Sequence, residues 1–285
     1  MSKKMNSIAR FKHYDTLLSC PICHTAMSIT DSAICEQGHN FDFSKQGYLN
    51  LLVQNNATHY DKELFESRRE LITESAFFTP LLERLTTIIN TYHQTKPLTL
   101  VDGGCGEGSH VAYLKETLGD KLAIAFGTDI AKEGILSAAK HYPTVSWLVA
   151  DLANMPFANQ TIDIILNILS PANYKEFDRM LTQEGCVIKI VPQSNYLKEL
   201  RHYFFADTTK ADYSNDDTVA LFEGQFPDFT RETINYTTQL NAQQLSHLLH
   251  MTPLTWNLEE DLIQQFITKS DGIITADFEI LIGKK

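Results

Sequence analysis

From Lys62 to Tyr92 the apolar positions recur at helical spacing. Leu64, Phe65, Leu71 and Ile72 fall on one face, and Arg68 falls on it with them. The stretch "TPLLERLTTIINTYH" predicts a second helix, with Thr79 as N-cap and Pro80 at the first position. From Leu98 the period switches back and forth. "PLTLVDGG", "LAIAFGTD", "VSWLVAD", "DIILNIL" and "CVIKIVP" read as buried strands. Between them, "SHVAYLKETLG", "KEGILSAAKHYP" and "NYKEFDRMLTQEG" read as helices, the first closed by Gly119, the second ended by its proline and the third capped by Gly185. This alternation predicts an α/β fold with a parallel sheet covered on both faces. The tail is different. "TRETINYTTQL" alternates like a half-exposed strand, "NAQQLSHLLHMT" is helical and "ITADFEILIG" is the last strand, which suits an antiparallel edge.

The first 60 residues are of another kind. Residues 1–18 form a short basic arm, residues 20–52 are turn-rich and hold three of the five cysteines, and "VQNNATHYD" (53–61) reads as a polar linker. This predicts two parts, a 1–60 arm and small module and a 61–285 α/β domain. No internal repeat or low-complexity tract is present. No window approaches the ~18–20 apolar residues of a membrane span, and the basic N-terminus lacks the apolar core of a signal peptide. Five cysteines, three of them clustered, do not make a secreted disulfide framework, so a reduced, cytoplasmic setting is expected. The net charge of −11 divides into +1 over residues 1–60 and −12 over the rest. It argues against indiscriminate nucleic-acid binding and directs any polyanion contact to the N-terminal part.

Cys20-x2-Cys23 followed by Cys35-x3-His39 gives four soft or imidazole ligands in two close pairs. Four protein ligands suit tetrahedral Zn²⁺ and leave no open position, so the metal is expected to be structural. His24 adjoins Cys23 on a tight turn and is expected to point elsewhere. A module of about 33 residues cannot build an adequate core alone, so the ion should hold its fold. On a two-part reading, Cys20→Ser should unfold residues 20–52 and leave cofactor binding mostly intact.

The second constellation is Asp102-Gly103-Gly104-Cys105-Gly106-Glu107-Gly108, between a strand and a helix. A dinucleotide G-x-G-x-x-G is absent. The D-x-G-x-G-x-G that is present resembles the first motif of Rossmann-fold S-adenosylmethionine methyltransferases. Gly104, Gly106 and Gly108 let backbone approach a ligand at the carboxyl ends of the strands, and Asp102 can act on a charged amino group. Asp129 ends the next strand, with Ile130 beside it, where a carboxylate accepts from ribose hydroxyls. Asp151 ends the third strand and can accept from an adenine amino group, while the Leu152 N–H meets a ring nitrogen. Cys105 and Cys186 read as buried small hydrophobes rather than nucleophiles.

Taken together, "CPICHTAM…CEQGHNFDFSKQGYLNLL", "SRRELITESAFFTPLLERL", "VDGGCGEG", "SPANYKEF" and "LLHMTPLTW" resemble the large-subunit ribosomal RNA guanine-N1 methyltransferases over residues 15–285. "SPANY" points to the subgroup associated with resistance to certain macrolides. The resemblance implies a class I methyltransferase fold, with a mostly parallel seven-stranded sheet whose last strand is antiparallel, plus an N-terminal zinc module. It implies S-adenosylmethionine as methyl donor, a guanine N1 in a hairpin loop of domain II of 23S rRNA as acceptor, and a homodimer. It also implies that Phe78, Gly106, Glu107 and Tyr196 line the cofactor pocket. The chain departs from the family's pattern at three positions: Asn167 stands where aspartate is expected, Tyr196 where histidine is expected, and Gly103 where an aliphatic is expected. Asn167 and Tyr196 are expected at strand ends facing cofactor or substrate, which makes them the catalytic candidates. Lys3, Lys4, Arg10, Lys12 and Lys45, with Arg68 and Arg69 nearby, are candidate phosphate contacts, each taken singly reading first as a solvated surface charge. Two other readings remain open at the level of sequence: a small-molecule methyltransferase, which leaves the zinc module unexplained, and a catalytically impaired RNA-binding relative.

Overall fold

A computed structural model describes residues 2–54, 60–92, 96–206, 208 and 212–285. The chain opens with helix α1 (Lys3–His13), capped by the Ser2 hydroxyl, which accepts from the Met5 N–H at 3.3 Å. Three short antiparallel strands follow, β1 (Met27–Ile29), β2 (Ser32–Cys35) and β3 (Asn40–Asp42), then β4 (Leu49–Asn50). Helices α2 (Lys62–Glu74) and α3 (Thr79–Thr91) lead into the alternating region. That region runs β5 (Leu98–Gly103), α4 (Ser109–Leu118), β6 (Leu122–Asp129), α5 (Lys132–His141), β7 (Ser146–Val149), β8 (Ile162–Ile168), α6 (Tyr174–Met180) and β9 (Leu181–Pro192). The tail is α7 (Lys198–Phe205), α8 (Asp216–Gln225), β10 (Phe229–Gln239), α9 (Ala242–Met251), α10 (Glu260–Lys269) and β11 (Ile273–Lys284).

The large sheet has the order β10-β11-β9-β8-β5-β6-β7-β4. Only β11 runs against its neighbours, pairing antiparallel with both β9 and β10. The seven strands from β5 onward have the composition expected from the sequence. The eighth is a departure: β4 comes from the N-terminal part and adds to the edge strand β7 in parallel, Leu49 opposite Leu148 and Asn50 opposite Val149.

The basic arm is also more ordered than its sequence suggests. It is helix α1, and Phe11 is fully buried against Phe43 and Phe126. One continuous core contains Phe11, Leu18, Cys20, Met27 and Cys35 from the N-terminal part, and Phe126, Leu148, Met155 and Phe157 from the α/β part. Each large buried side chain of this kind contributes about 1.5–3 kcal/mol, so the two parts stabilise each other.

Three local expectations are corrected. Thr79 is not the cap of α3: the helix starts at Thr79, and Phe78 precedes it with no side-chain cap bond. Gly185 is not a helix cap either. Helix α6 ends at Met180 and Gly185 lies inside β9, where an added methyl would stand 2.9 Å from Leu181 Cδ2. In the stretch read as a linker, Asp61 caps α2 by accepting from the Leu64 N–H at 2.8 Å, and residues 55–59 lie outside the described residues, as does His93.

Candidate metal centre and cofactor cleft

The Cys20–Cys23 turn and the Cys35–His39 turn bring four ligand atoms within 4.8 Å of one another. Cys23 Sγ and Cys35 Sγ are 3.6 Å apart, and His39 Nδ1 lies 3.6 Å from Cys20 Sγ and 3.4 Å from Cys35 Sγ. A tetrahedron with zinc–sulfur bonds of about 2.3 Å and a zinc–nitrogen bond of about 2.0 Å has edges of roughly 3.8 and 3.5 Å. The spacing therefore fits Zn²⁺ held by all four residues with no place for water. Thr25 donates to Cys23 through its hydroxyl at 3.2 Å and pulls that thiol down to about 6, toward the thiolate that binds metal. His24 has a left-handed backbone (φ 59) and is not among the four, as expected from its place on the turn.

The metal turns are fastened to the α/β part. Asn154 Nδ2 donates to the Pro21 carbonyl at 2.8 Å, the Ser19 N–H to the Pro156 carbonyl at 3.1 Å, and the Ala158 N–H to the Leu17 carbonyl at 2.9 Å. Asn154 in turn donates its backbone N–H to the Asp151 carbonyl at 3.0 Å. The zinc ribbon thus borders the loop that follows β7.

The carboxyl ends of β5, β6 and β7 gather the second constellation. Gly104, Gly106 and Gly108 all have left-handed backbones (φ 78, 59 and 83), which only glycine adopts without strain. Asp129 Oδ2 accepts from the Gly106 N–H and Oδ1 from the Ala131 N–H, both at 2.8 Å. A carboxylate has about four lone-pair sites, so it can accept further donors. Asp151, two residues past β7, accepts from the Ala153 N–H at 2.8 Å; Ile130 and Leu152 are half-buried beside the two acids. Asp102 is buried, and its Oδ1 has no hydrogen-bond partner. Burial pushes its carboxyl up to about 8, with Arg68 opposing and Asp129 and Glu107 adding to the rise. An orphaned buried carboxyl oxygen beside three left-handed glycines fits a cationic amino group.

Phe78 is fully buried in an aromatic cluster, edge-on to Phe77 and His110 and stacked 5.9 Å from Phe278, which also meets Tyr196 at 5.0 Å. Phe78 and Tyr196 therefore form a wall near the cleft, and Tyr196 is buried enough that its hydroxyl is pushed above its ordinary range. Glu107 is fully buried and accepts from Ser109 Oγ at 2.5 Å and the Ser109 N–H at 3.2 Å. Asn167 does not face the cleft. It is fully buried, donates to the Gly103 and Pro171 carbonyls at 2.8 and 2.9 Å, and accepts from Lys189 Nζ at 2.6 Å. An aspartate there could not donate to the two carbonyls, so asparagine is what these partners require. Both N–H groups are committed, and Asn167 is no base.

Arg68 is the main residue whose place the sequence misassigned. Its guanidinium lies 3.4 Å from Glu107 Oε1 and 3.4 Å from His110 Nδ1, over Gly106. It sits beside the glycine turn and the buried Glu107, apart from the exposed cations of residues 1–60. His110 was not singled out; it is buried and burial holds it neutral, far below its ordinary value. Arg10 is likewise removed from the phosphate set, because Ser146 Oγ and the Pro143 and Val145 carbonyls take its nitrogens at 2.7–2.9 Å. Lys3 bonds the Lys140 carbonyl at 2.6 Å and Arg69 lies 3.7 Å from Glu70, leaving Lys4, Lys12 and Lys45 as the freest cations of that group. Cys105 and Cys186 are buried thiols, with Cys186 pushed up to about 12 by burial, which leaves neither nucleophilic.

Comparison with known proteins agrees with both constellations. Residues 18–58 match the zinc-ribbon family model described as "RlmA, N-terminal", and residues 100–185 match the "Methyltransferase domain" model. The Bacillus subtilis (strain 168) protein YxjB, provisionally named a 23S rRNA (guanine-N(1)-)-methyltransferase, is 39% identical over 95% of this chain and 98% of its own. The chain belongs to the 23S rRNA guanine-N1 methyltransferase family. A second relative of this methyltransferase, the Streptomyces fradiae 23S rRNA (guanine(748)-N(1))-methyltransferase, is 28% identical over 90% of this chain and 91% of its own. The methyltransferase departs from a lone Rossmann-like domain by the ribbon locked to its cleft. Among its described residues no helix is long and apolar enough to cross a membrane.

Proposed function

We propose that this protein transfers a methyl group from S-adenosylmethionine to N1 of a guanine in a hairpin loop of domain II of 23S rRNA. One observation carries the RNA reading beyond family membership. The zinc turn is bonded through Asn154 to the loop that follows Asp151, so the N-terminal part, with its charge of +1, borders a cleft in a body of charge −12. In this reading residues 1–60 grip loop shape and phosphates, with Lys4, Lys12 and Lys45 as contacts, and residues 61–285 hold the cofactor. In this reading the protein works in the cytoplasm as a homodimer, and the resemblance of its "SPANY" segment supports membership of the subgroup linked to macrolide resistance. When bound, the cofactor supplies an electrophilic methyl on a sulfonium. The protein's part is to hold an extruded guanine in line with it. Purified protein should transfer labelled methyl to 23S rRNA lacking this modification, and mass mapping should place the label on a domain II hairpin guanine. Label appearing only in small metabolites would defeat the reading.

In the same reading Asp102 meets the cofactor's amino group, Asp129 the ribose and Asp151 the adenine, with Phe78, Glu107 and Tyr196 behind them. Asp102 then has a calorimetric signature. Its carboxyl, held up to about 8 by burial, is mostly protonated at pH 7 in the free protein. A cationic amino group favours the carboxylate, so cofactor binding should release close to one proton at pH 7 and almost none above pH 9. Binding enthalpies in buffers of different ionisation enthalpy measure this, and Asp102→Asn should abolish the release. The same raised value means that Asp102 stabilises the free fold fully below about pH 4 and that this contribution is lost as pH rises through about 8.

A further inference from the structure

Lys189 on β9 is 3% exposed, yet among the described residues no carboxylate lies within ion-pair distance of it. Its ammonium donates to Asn167 Oδ1 at 2.6 Å and to the Ser170 carbonyl at 3.0 Å. A buried cation without a counter-ion is costly, and burial lowers this one to about 8. What it holds is the turn after β8. Leu169 opens that turn in a left-handed conformation (φ 51), a strained state for a branched residue. Ser170 then closes against the cofactor turn: a methyl group added at Gly104 would lie 1.9 Å from Ser170 Oγ. Asn167 spans the two turns, one N–H on the Gly103 carbonyl and the other on the Pro171 carbonyl. Across the trans peptide the Ala172 N–H points opposite to the Pro171 carbonyl, away from the buried Asn167. Asn173 fixes the far end by capping α6, accepting from the Glu176 N–H at 3.2 Å.

We propose that Asn167 and Lys189 are positioning residues for methyl transfer, drawing the Ser170 and Pro171 carbonyls inward so that the 170–173 turn presents its outer side, with the Ala172 N–H, to the target guanine. The inference rests on the guanine-N1 reading. During transfer the N1 lone pair forms the N–CH3 bond, the C–S pair returns to sulfur to give a neutral thioether, and the N1 proton passes to solvent. Electron density that shifts to O6 as N1 loses its proton is met by an outward backbone N–H. Neither side chain touches substrate; each sets the distance between the cofactor turn and the wall facing it.

The test compares the wild-type protein with Lys189→Met and Asn167→Leu on an unmodified domain II fragment, together with calorimetric titration by S-adenosylmethionine and thermal melts. Methionine keeps the stem's volume and removes the donor. Leucine keeps the forked shape of the asparagine side chain and removes both donations to the carbonyls. Both variants should bind the cofactor within about 3-fold of wild type and lose kcat by about 10²-fold, since a misplacement near 1 Å costs that much. An unchanged kcat in both variants overturns the proposal, as does a fall in cofactor affinity that accounts for the whole loss. A wild-type protein that binds the cofactor and leaves guanine N1 unmodified instead defeats the functional reading itself.

Discussion

Removing the zinc, by a strong chelator or by Cys35→Ser, should lower the melting temperature of the whole protein by roughly 10 °C or more in one cooperative step. Structural zinc sites contribute several kcal/mol to folding, and about 1 kcal/mol moves the melting point of a domain this size by roughly 2–4 °C. The step should be single because Cys20 and Cys35 share one core with Phe126, Leu148 and Phe157. Affinity for S-adenosylmethionine should fall with it, by about 3- to 10-fold, because the Pro21 carbonyl no longer holds Asn154 beside Asp151. This reverses the two-part expectation that Cys20→Ser spares the cofactor site. Scanning calorimetry and cofactor titration of metal-free protein check it. Two separate transitions with undiminished affinity would show that the ribbon is an independent module after all.

The second large effect concerns one methyl group. Gly108→Ala should destabilise the protein by roughly 2–5 kcal/mol and leave cofactor binding too weak to titrate. Two costs add. Alanine at φ 83 pays about 1–2 kcal/mol for the left-handed backbone, and its Cβ would stand 2.3 Å from Trp147 Cη2, an overpacking cost of about 1–3 kcal/mol. Trp147 cannot retreat. It is 1% exposed and its ring N–H donates to the Tyr142 carbonyl at 2.9 Å. Gly119→Ala gives a backbone cost alone, because Gly119 also has a positive φ (53), with ψ −125 outside the left-handed helical well, and has nothing within 4 Å of an added methyl. It should cost about 1–3 kcal/mol. A Gly108→Ala protein that melts with the wild type would mean that the Trp147 contact is without consequence.

The four metal ligands were legible because zinc coordination needs few residues at short spacings, and nothing else in the chain competes with that pattern. The glycines and the acids after β5, β6 and β7 were legible because a left-handed turn and a strand-end carboxylate each have a residue signature. Arg68, His110 and Lys189 were not read correctly, for a common reason. Each is a polar residue in an apolar setting whose partners are remote in sequence, such as the Ser170 carbonyl for Lys189. Arg68 did leave a trace, as the one charge on the apolar face of α2. The eighth strand was invisible because β4 has two residues and its partner lies about 100 positions on. Gly185 misled because a glycine after a helical run usually marks a cap, whereas here the close approach to Leu181 and Ile162 requires it in extended backbone.

The pairing of β4 with β7 also sets an order of events during synthesis. All four zinc ligands have been made by His39, but Leu148 and Val149, which complete the sheet contact with β4, follow about 110 residues later. At about 5–20 residues per second the ribbon's ligands wait roughly 5–20 s for the surface they pack on. The metal can gather Cys20, Cys23, Cys35 and His39 within that interval, when their apolar neighbours still lack a covering. The ion that fastens the finished fold is thus also a guard for the nascent one.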